Sequence, residues 1–258
     1  MKFGICFGGM GPDEANLKCV HDCKYDYVEL SMVDIMNKSD NAFDVLSCRL
    51  HADKIQCLVV YLFFPWQLKI VGDEADHEII NTYVERAVKR ASLLNVKKII
   101  VGSGTSRLIP TGYCRKKATS EFSNVIRKIH EVACNYEIET IIEPMCSDET
   151  NLINTVNDAC SFIADMNLSG VTTMIDAFHF EKNKEDYNLI YDCKDLIRHI
   201  HVARNDRTFP NKRKDVELLL KFLTEINYDE TVSVEAKTKN LCADAKNSLD
   251  IMKLFLKD

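Results

Sequence analysis

Hydrophobic and polar positions along this chain fall into two alternating patterns. Short runs rich in Val, Ile, Tyr and Phe recur at 3–7, 26–31, 56–62, 97–102, 138–143, 171–176, 197–203 and 231–235. Runs of this length and composition predict strands. Most carry apolar residues on both faces, as parallel strands buried between two layers do. Between them, apolar residues recur every three or four positions, most clearly in 76–94, 115–136, 149–166, 214–226 and 241–256. In 76–94, Ile79, Ile80, Tyr83, Val84, Ala87, Val88 and Ala91 make one helical stripe. Ser147 and Asp148 stand before 149–166 as N-cap residues. Weaker helical signals lie within 40–53 and around 185–193.

Eight strands separated by helices favour a closed barrel over an open doubly wound sheet. The expected fold class is therefore α/β, a single (β/α)8 TIM barrel forming one domain over 1–258. The length of 258 residues agrees, since such barrels run to about 250. The segment GICFGGMG after the first strand misses the spacing of a dinucleotide fingerprint, and no P-loop follows.

Composition narrows the partners. The net charge of −6 argues against a general nucleic-acid binder or a membrane-surface protein. The longest apolar stretch, Cys57 to Trp66, is about half of the ~20 residues that a membrane span needs. Met1 is followed by KFGICF, without the basic and small-residue flanks of a secretion signal. The eleven scattered cysteines then read as reduced thiols, and the expected location is cytoplasmic. Cys19, His21 and Cys23 lack the pairing of a zinc site and read as one helix face.

The chemistry lies at the ends of the last four strands. Glu143 closes IETIIEP, Asp176 closes VTTMID, His201 closes LIRHIH and Glu235 closes TVSVE. In a parallel barrel these positions share the C-terminal rim, where active sites are built. Three carboxylates and one imidazole predict a single divalent metal ion, with Mn2+ first and Mg2+ or Co2+ as alternatives. Glu149, His179 and Arg207 lie in the loops after three of these ligands, and Glu29 ends the second strand at the same rim. His199 shares a face with His201 at a different depth, and His201 is preferred because it is nearer the strand's C-terminal end. Arg107 and Arg115 follow the fourth strand, either as a phosphate subsite or, the preferred reading, as a rim salt-bridge network.

The segments YDYVEL, VGSGTSRLIPTG, IIEPMCSDETN, MIDAFHF, HIHVARNDRTFP and VSVEAK resemble the xylose isomerase-like TIM barrels over nearly the whole chain. Within that superfamily the resemblance is to the ketose 3-epimerases of the tagatose and psicose type. It implies that Glu143, Asp176, His201 and Glu235 bind one metal, and that Glu143 and Glu235 are also the catalytic acid/base pair. It further implies that Glu149, His179 and Arg207 contact substrate, a small-molecule sugar or sugar phosphate, and that the protein is a homodimer or homotetramer. Phe63, Phe64 and Trp66 either join an interface, wall the pocket or pack under a neighbouring loop. Pro210–Asn211 departs from the Pro-Gly often found there, and Lys237 has no assigned role.

The same site supports aldose–ketose isomerisation or inosose dehydration as alternatives. An endonuclease IV-like phosphodiesterase is disfavoured because strands three and four end without histidine. A non-catalytic sugar-binding barrel is disfavoured by the intact ligand set.

Overall fold

A computed structural model describes residues 1–7 and 14–254. The glycine-rich stretch after the first strand and the end of the last predicted helix lie outside the described residues. Among those described, eight parallel strands close into a barrel: β1 (Lys2–Phe7), β2 (Tyr27–Ser31), β3 (Cys57–Tyr61), β4 (Lys98–Val101), β5 (Glu139–Ile142), β6 (Val171–Asp176), β7 (Ile197–Val202) and β8 (Thr231–Val234). The helices are α1 (Glu14–Cys23), α2 (Met32–Met36), α3 (Asp40–Ala52), α4 (His77–Leu93), α5 (Arg115–Ala133), α6 (Val156–Met166), α7 (Ala177–Lys182), α8 (Glu217–Glu225) and α9 (Leu241–Lys253). Every strand of the sequence analysis is present to within one residue at either end.

The two-sided apolar character of the strands separates into two layers. Outward residues such as Phe3, Ile5, Val28, Val60, Ile99, Ile142, Ile175 and Ile200 pack under the helices. Cys6, Tyr27, Val59, Tyr61, Ile100, Ile141 and Met174 form a second apolar cluster, which the period of two places inside the barrel. Gly4 has no side chain because Tyr27 needs its place: a Cβ there would lie 2.2 Å from the Tyr27 ring.

Several helix expectations are corrected. The region 149–166 is helical only from Val156, and Ser147 and Asp148 do not cap it. Thr155 is the N-cap, in a capping box with Asp158. The residues before it form a loop because Asn154 donates its side-chain amide to the carbonyls of Met145 and Thr150, 2.8 Å each. The apolar residues Leu152 and Ile153, which mimic helical periodicity, are buried by that loop instead. Residues 187–196 form 3-10 turns rather than an α-helix. Two short helices, α2 and α7, were not anticipated.

Cysteine chemistry also differs from expectation. Cys19 and Cys242 are joined as a disulfide between α1 and α9, with Cα atoms 5.4 Å apart. Closing the barrel brings the first and last helices together, a proximity that a separation of 223 residues hides in the sequence. Cys19 is thereby committed to Cys242 and not to a site with His21 and Cys23. No helix of the described residues is long and apolar enough to cross a membrane.

Glu185 gives one pH-dependent stability term. Its carboxylate accepts the Val156 N–H at the start of α6, 2.8 Å away. Burial, aided by nearby Asp158, pushes this carboxyl up to about 7. The folded protein therefore holds a proton on Glu185 that the unfolded chain, with an ordinary carboxyl near 4.5, releases. The stabilisation is complete below the unfolded value and is lost as pH rises through about 7. Glu185→Gln is expected to remove this loss. Its stability relative to wild type should rise by about 1 kcal/mol between pH 5 and pH 8 in denaturant melts. A pH-independent difference would reject the assignment.

Candidate metal centre and active site

Strand register assembles the site. Asp176 and His201 are direct partners in the β6–β7 ladder, and His201 is paired with Ser233 on β8. Glu143 and Glu235 come one residue after β5 and β8. Each continues the ladder: Glu143 N–H donates to Val101 O (3.3 Å), and Glu235 N–H to Val202 O (3.1 Å). Four side chains from four adjacent strands thus meet at one end of the barrel. One donor atom from each of Glu143, Asp176, His201 and Glu235 lies within 4.8 Å of the others.

Three of the four candidate ligands are oriented by a local device. Asp176 is the N-cap of α7: its Oδ1 accepts the N–H groups of Phe178 (2.8 Å) and His179 (3.2 Å), leaving Oδ2 for the centre. Gly102, just after β4, leaves room for Glu143. A Cβ at Gly102 would lie 1.9 Å from Glu143 Oε2. His201 turns Nε2 to Glu29 Oε1 at 2.8 Å, so Nδ1 faces the carboxylates of Glu235, Asp176 and Glu143 at 3.3, 3.6 and 3.8 Å. That Nδ1 is buried and has no hydrogen-bond partner.

The residues present fit a divalent cation. A buried imidazole nitrogen without a partner, aimed at three carboxylates, is a donor set suited to a cation at its centre. Other ligand types in the barrel mouth, such as Cys6 near Glu29 and His201, are buried beneath this set.

Arg207 already engages the acidic groups. Its Nη1 donates to Asp176 Oδ2 at 2.8 Å and to Glu235 Oε2, and its Nη2 lies 3.0 Å from His179 Nε2. The guanidinium stacks over Phe178, 4.3 Å from the ring centroid. Its backbone is left-handed, φ 59°. It is pinned where the Lys237 N–H donates to Arg207 O at 2.6 Å. Lys237, unassigned in the sequence, therefore acts through its backbone.

The charges respond to this packing. Burial opposes ionisation of Asp176, but Arg207, His201 and His179 hold its carboxyl well below the usual range. Burial raises the Glu235 carboxyl, against the pull of His201 and Arg207. Burial alone would lower His201, yet Glu29 and Glu235 carry it well above an ordinary imidazole.

The remaining anticipated residues fall in two groups. His179, on α7, accepts the Cys146 N–H at its Nδ1 (3.2 Å), and Glu149 reaches within 4.8 Å of His179 and Cys146. These residues lie beside the cluster, Glu149 exposed and His179 buried. Among the described residues Arg107 and Arg115 form no salt-bridge network, and Arg107 is not free to meet a phosphate. Arg107 is fully buried and donates to the carbonyls of Glu143 (2.6 Å) and Val101 (3.3 Å), tying the ends of β4 and β5 together. Burial lowers its pKa to about 10, opposed by Glu143 and Glu149. Arg115 donates to Asn151 O at 2.8 Å. Phe63 and Phe64 are buried against Tyr83 of α4 and face no partner, whereas Trp66 is exposed.

One contributor escaped the sequence reading and another was legible only in part. Gly102 is a site residue by what it lacks, and only its place beside Glu143 shows this. Glu29 was legible as a rim carboxylate, but its pairing with His201 needed the closed ring.

A family model described as the xylose isomerase-like TIM barrel matches residues 17–257. A 3-dehydro-D-guloside 4-epimerase of Escherichia coli (strain K12) is 28% identical over 181 residues, covering 66% of this chain and 68% of that enzyme. A ketose 3-epimerase of Arthrobacter globiformis is 22% identical over 120 residues, 46% of this chain and 42% of that enzyme. The crystal structure of a D-psicose 3-epimerase with D-tagatose, from Clostridium cellulolyticum H10, has a TM-score of 0.83 at 18% identity and covers 99% of both chains. At that identity it speaks to the fold.

Proposed function

From the premise that the chain belongs to the xylose isomerase-like TIM barrel family, we propose that it is a metal-dependent sugar epimerase inverting C3 of a ketose. The chain is an isomerase by kinship, since its curated relatives are sugar epimerases. The observation that carries the finer reading is the placement of Glu143 and Glu235. Two carboxylates reach one point from β5 and β8, with Asp176 and His201 between them.

A hydrogen on the carbon beside a ketone is weakly acidic. A divalent cation held by Glu143, Asp176, His201 and Glu235 would supply fixed positive charge at substrate oxygens, which makes that hydrogen easier to remove. The protein's own groups do the proton work. One glutamate, as carboxylate, takes the proton from one face of C3. The other, as carboxylic acid, returns a proton to the opposite face, and the configuration inverts. Arg207 presents N–H groups to the substrate's oxygens, where charge develops, His179 contacts the substrate beside it, and Glu149 holds a hydroxyl or orients His179. No redox cofactor is needed.

The burial of Arg107 weighs toward an unphosphorylated sugar, because its guanidinium is spent on backbone carbonyls. A second reading follows from one of the relatives. The Escherichia coli relative is named for inversion at C4 beside a keto group at C3, and the same two-glutamate chemistry serves that carbon.

Deuterium incorporation from solvent tests these readings, with ketoses, ketose phosphates and 3-keto glycosides incubated with Mn2+ and followed by NMR. Label at C3 of a ketose together with its epimer is the expected result. Label at C4 of a 3-keto glycoside selects the second reading, and label at C1 or C2 indicates aldose–ketose isomerisation. Metal-loaded protein that exchanges no C–H in any of them would overturn the epimerase assignment.

A further inference from the structure

Beneath the candidate metal centre, the barrel interior holds a connected set of polar side chains that the proton-transfer scheme leaves unused. It begins at His201, whose Nε2 meets Glu29 Oε1 at 2.8 Å. The other Glu29 oxygen lies 3.1 Å from His199 Nε2, a charge contact that is not aligned as a hydrogen bond. His199 Nδ1 is 2.8 Å from Thr231 Oγ1. Thr231 Oγ1 in turn accepts from Lys98 Nζ at 3.0 Å, and Lys98 Nζ also meets Glu230 Oε2 at 2.8 Å and Arg198 O at 2.5 Å. Glu29, His199 and His201 are each at most 1% exposed. The set runs from the metal-site end of β7 to the opening residues of β4 and β8.

Its direction follows from which groups can only donate. An ammonium has no acceptor, so Lys98 gives a hydrogen to the Thr231 oxygen. The Thr231 hydroxyl then offers its own hydrogen to His199 Nδ1, its nearest acceptor; Arg198 O is farther, at 3.4 Å. With Nδ1 accepting from Thr231, the hydrogen of the His199 ring sits on Nε2. That tautomer also puts N–H, and not a lone pair, against the Glu29 carboxylate. Glu29 lies between the two rings, and as a carboxylate it only accepts. It therefore requires N–H on His201 Nε2. With a single hydrogen on the ring, the lone pair of His201 falls on Nδ1, the atom that faces Glu143, Asp176 and Glu235 and would ligate a cation there.

We propose that Glu29, His199, Thr231 and Lys98 are positioning residues, a directional relay through the barrel that holds His201 in the tautomer and orientation a metal ligand needs. The relay rests on the metal reading above for its consequence, and on the contacts themselves for its direction. Outer partners of a ligating histidine commonly contribute 10- to 100-fold in metal affinity. Glu29 lies next to the ligand and Thr231 is two contacts farther away.

The test is Mn2+ titration of full-length protein, stripped with chelator and reloaded. Glu29→Gln replaces one acceptor oxygen by an NH2 group and must confront His201 or His199 with a second donor. It is expected to bind Mn2+ about 10- to 100-fold more weakly. Thr231→Val keeps the shape and removes the hydroxyl. It is expected to weaken binding by about 3- to 10-fold, at the low end of such effects, with recovery in Thr231→Ser. In Mg2+-loaded wild type, 15N NMR of the ring should show the His201 hydrogen on Nε2. Unchanged affinity in folded Glu29→Gln and Thr231→Val, or a hydrogen on Nδ1, would overturn the relay. Should Glu29→Gln fail to fold, the Thr231 pair decides. Wild-type protein that takes up no divalent ion would overturn the metal reading itself, a result distinct from uptake that the variants leave unchanged.

Discussion

Glu143→Gln and Glu235→Gln are each expected to lower epimerisation by roughly 10^2- to 10^4-fold, the range for loss of a general acid or base. The amide keeps the size of the side chain but neither accepts a proton from carbon nor returns one. Both glutamates also belong to the metal cluster, so Mn2+ affinity must be measured beside turnover to separate weaker loading from lost proton transfer. The sharper readout is isotopic. With one glutamate gone, the other still faces one side of the reacting carbon. Each variant should therefore wash deuterium into only one of the two epimers, and the two variants should choose opposite epimers. Exchange without inversion is the signature of two bases on two faces. Near-wild-type turnover in either saturated variant would exclude that residue from the pair.

Gly102→Ala is the second large expected effect. One added methyl carbon would sit 1.9 Å from Glu143 Oε2 and 3.0 Å from its carboxyl carbon, so the carboxylate must leave its place. A displacement of about 1 Å at a catalytic group costs on the order of 10^2-fold in rate, and activity should fall at least that far, with Mn2+ affinity falling alongside. The backbone at Gly102 is not among those with positive φ, so alanine introduces no conformational strain. The melting temperature should stay within a few degrees of wild type. Full activity in Gly102→Ala would show that Glu143 works from a different position than the one it occupies here.

The elements of the barrel differ in how visible they are. The strands were legible to within a residue because burial on two faces demands Val, Ile, Tyr and Phe whatever the neighbours are. Helix starts were less so. Leu152 and Ile153 carry the spacing of a helix but are buried by a loop that Asn154 cross-links. The polar residues that signal an N-cap occur at both 147–148 and 155, and only Thr155 is paired with Asp158. Arg107 marks the limit of charge as a guide. An arginine in a loop after a strand invites an anion, yet here it lies in the interior, bonded to carbonyls at the ends of β4 and β5.

By itself the sequence determined the eight-fold strand–helix alternation and the four candidate metal-ligating residues that close the last four strands, because periodicity and residue chemistry are local properties. Closure of the ring and the strand register decided the rest. They bring Glu29 of β2 to His201 of β7, 172 residues apart, Gly102 to Glu143, and Cys19 to Cys242. Such pairs depend on which strands and helices become neighbours in space. That is settled by packing the whole barrel at once, and no short stretch of chain encodes it.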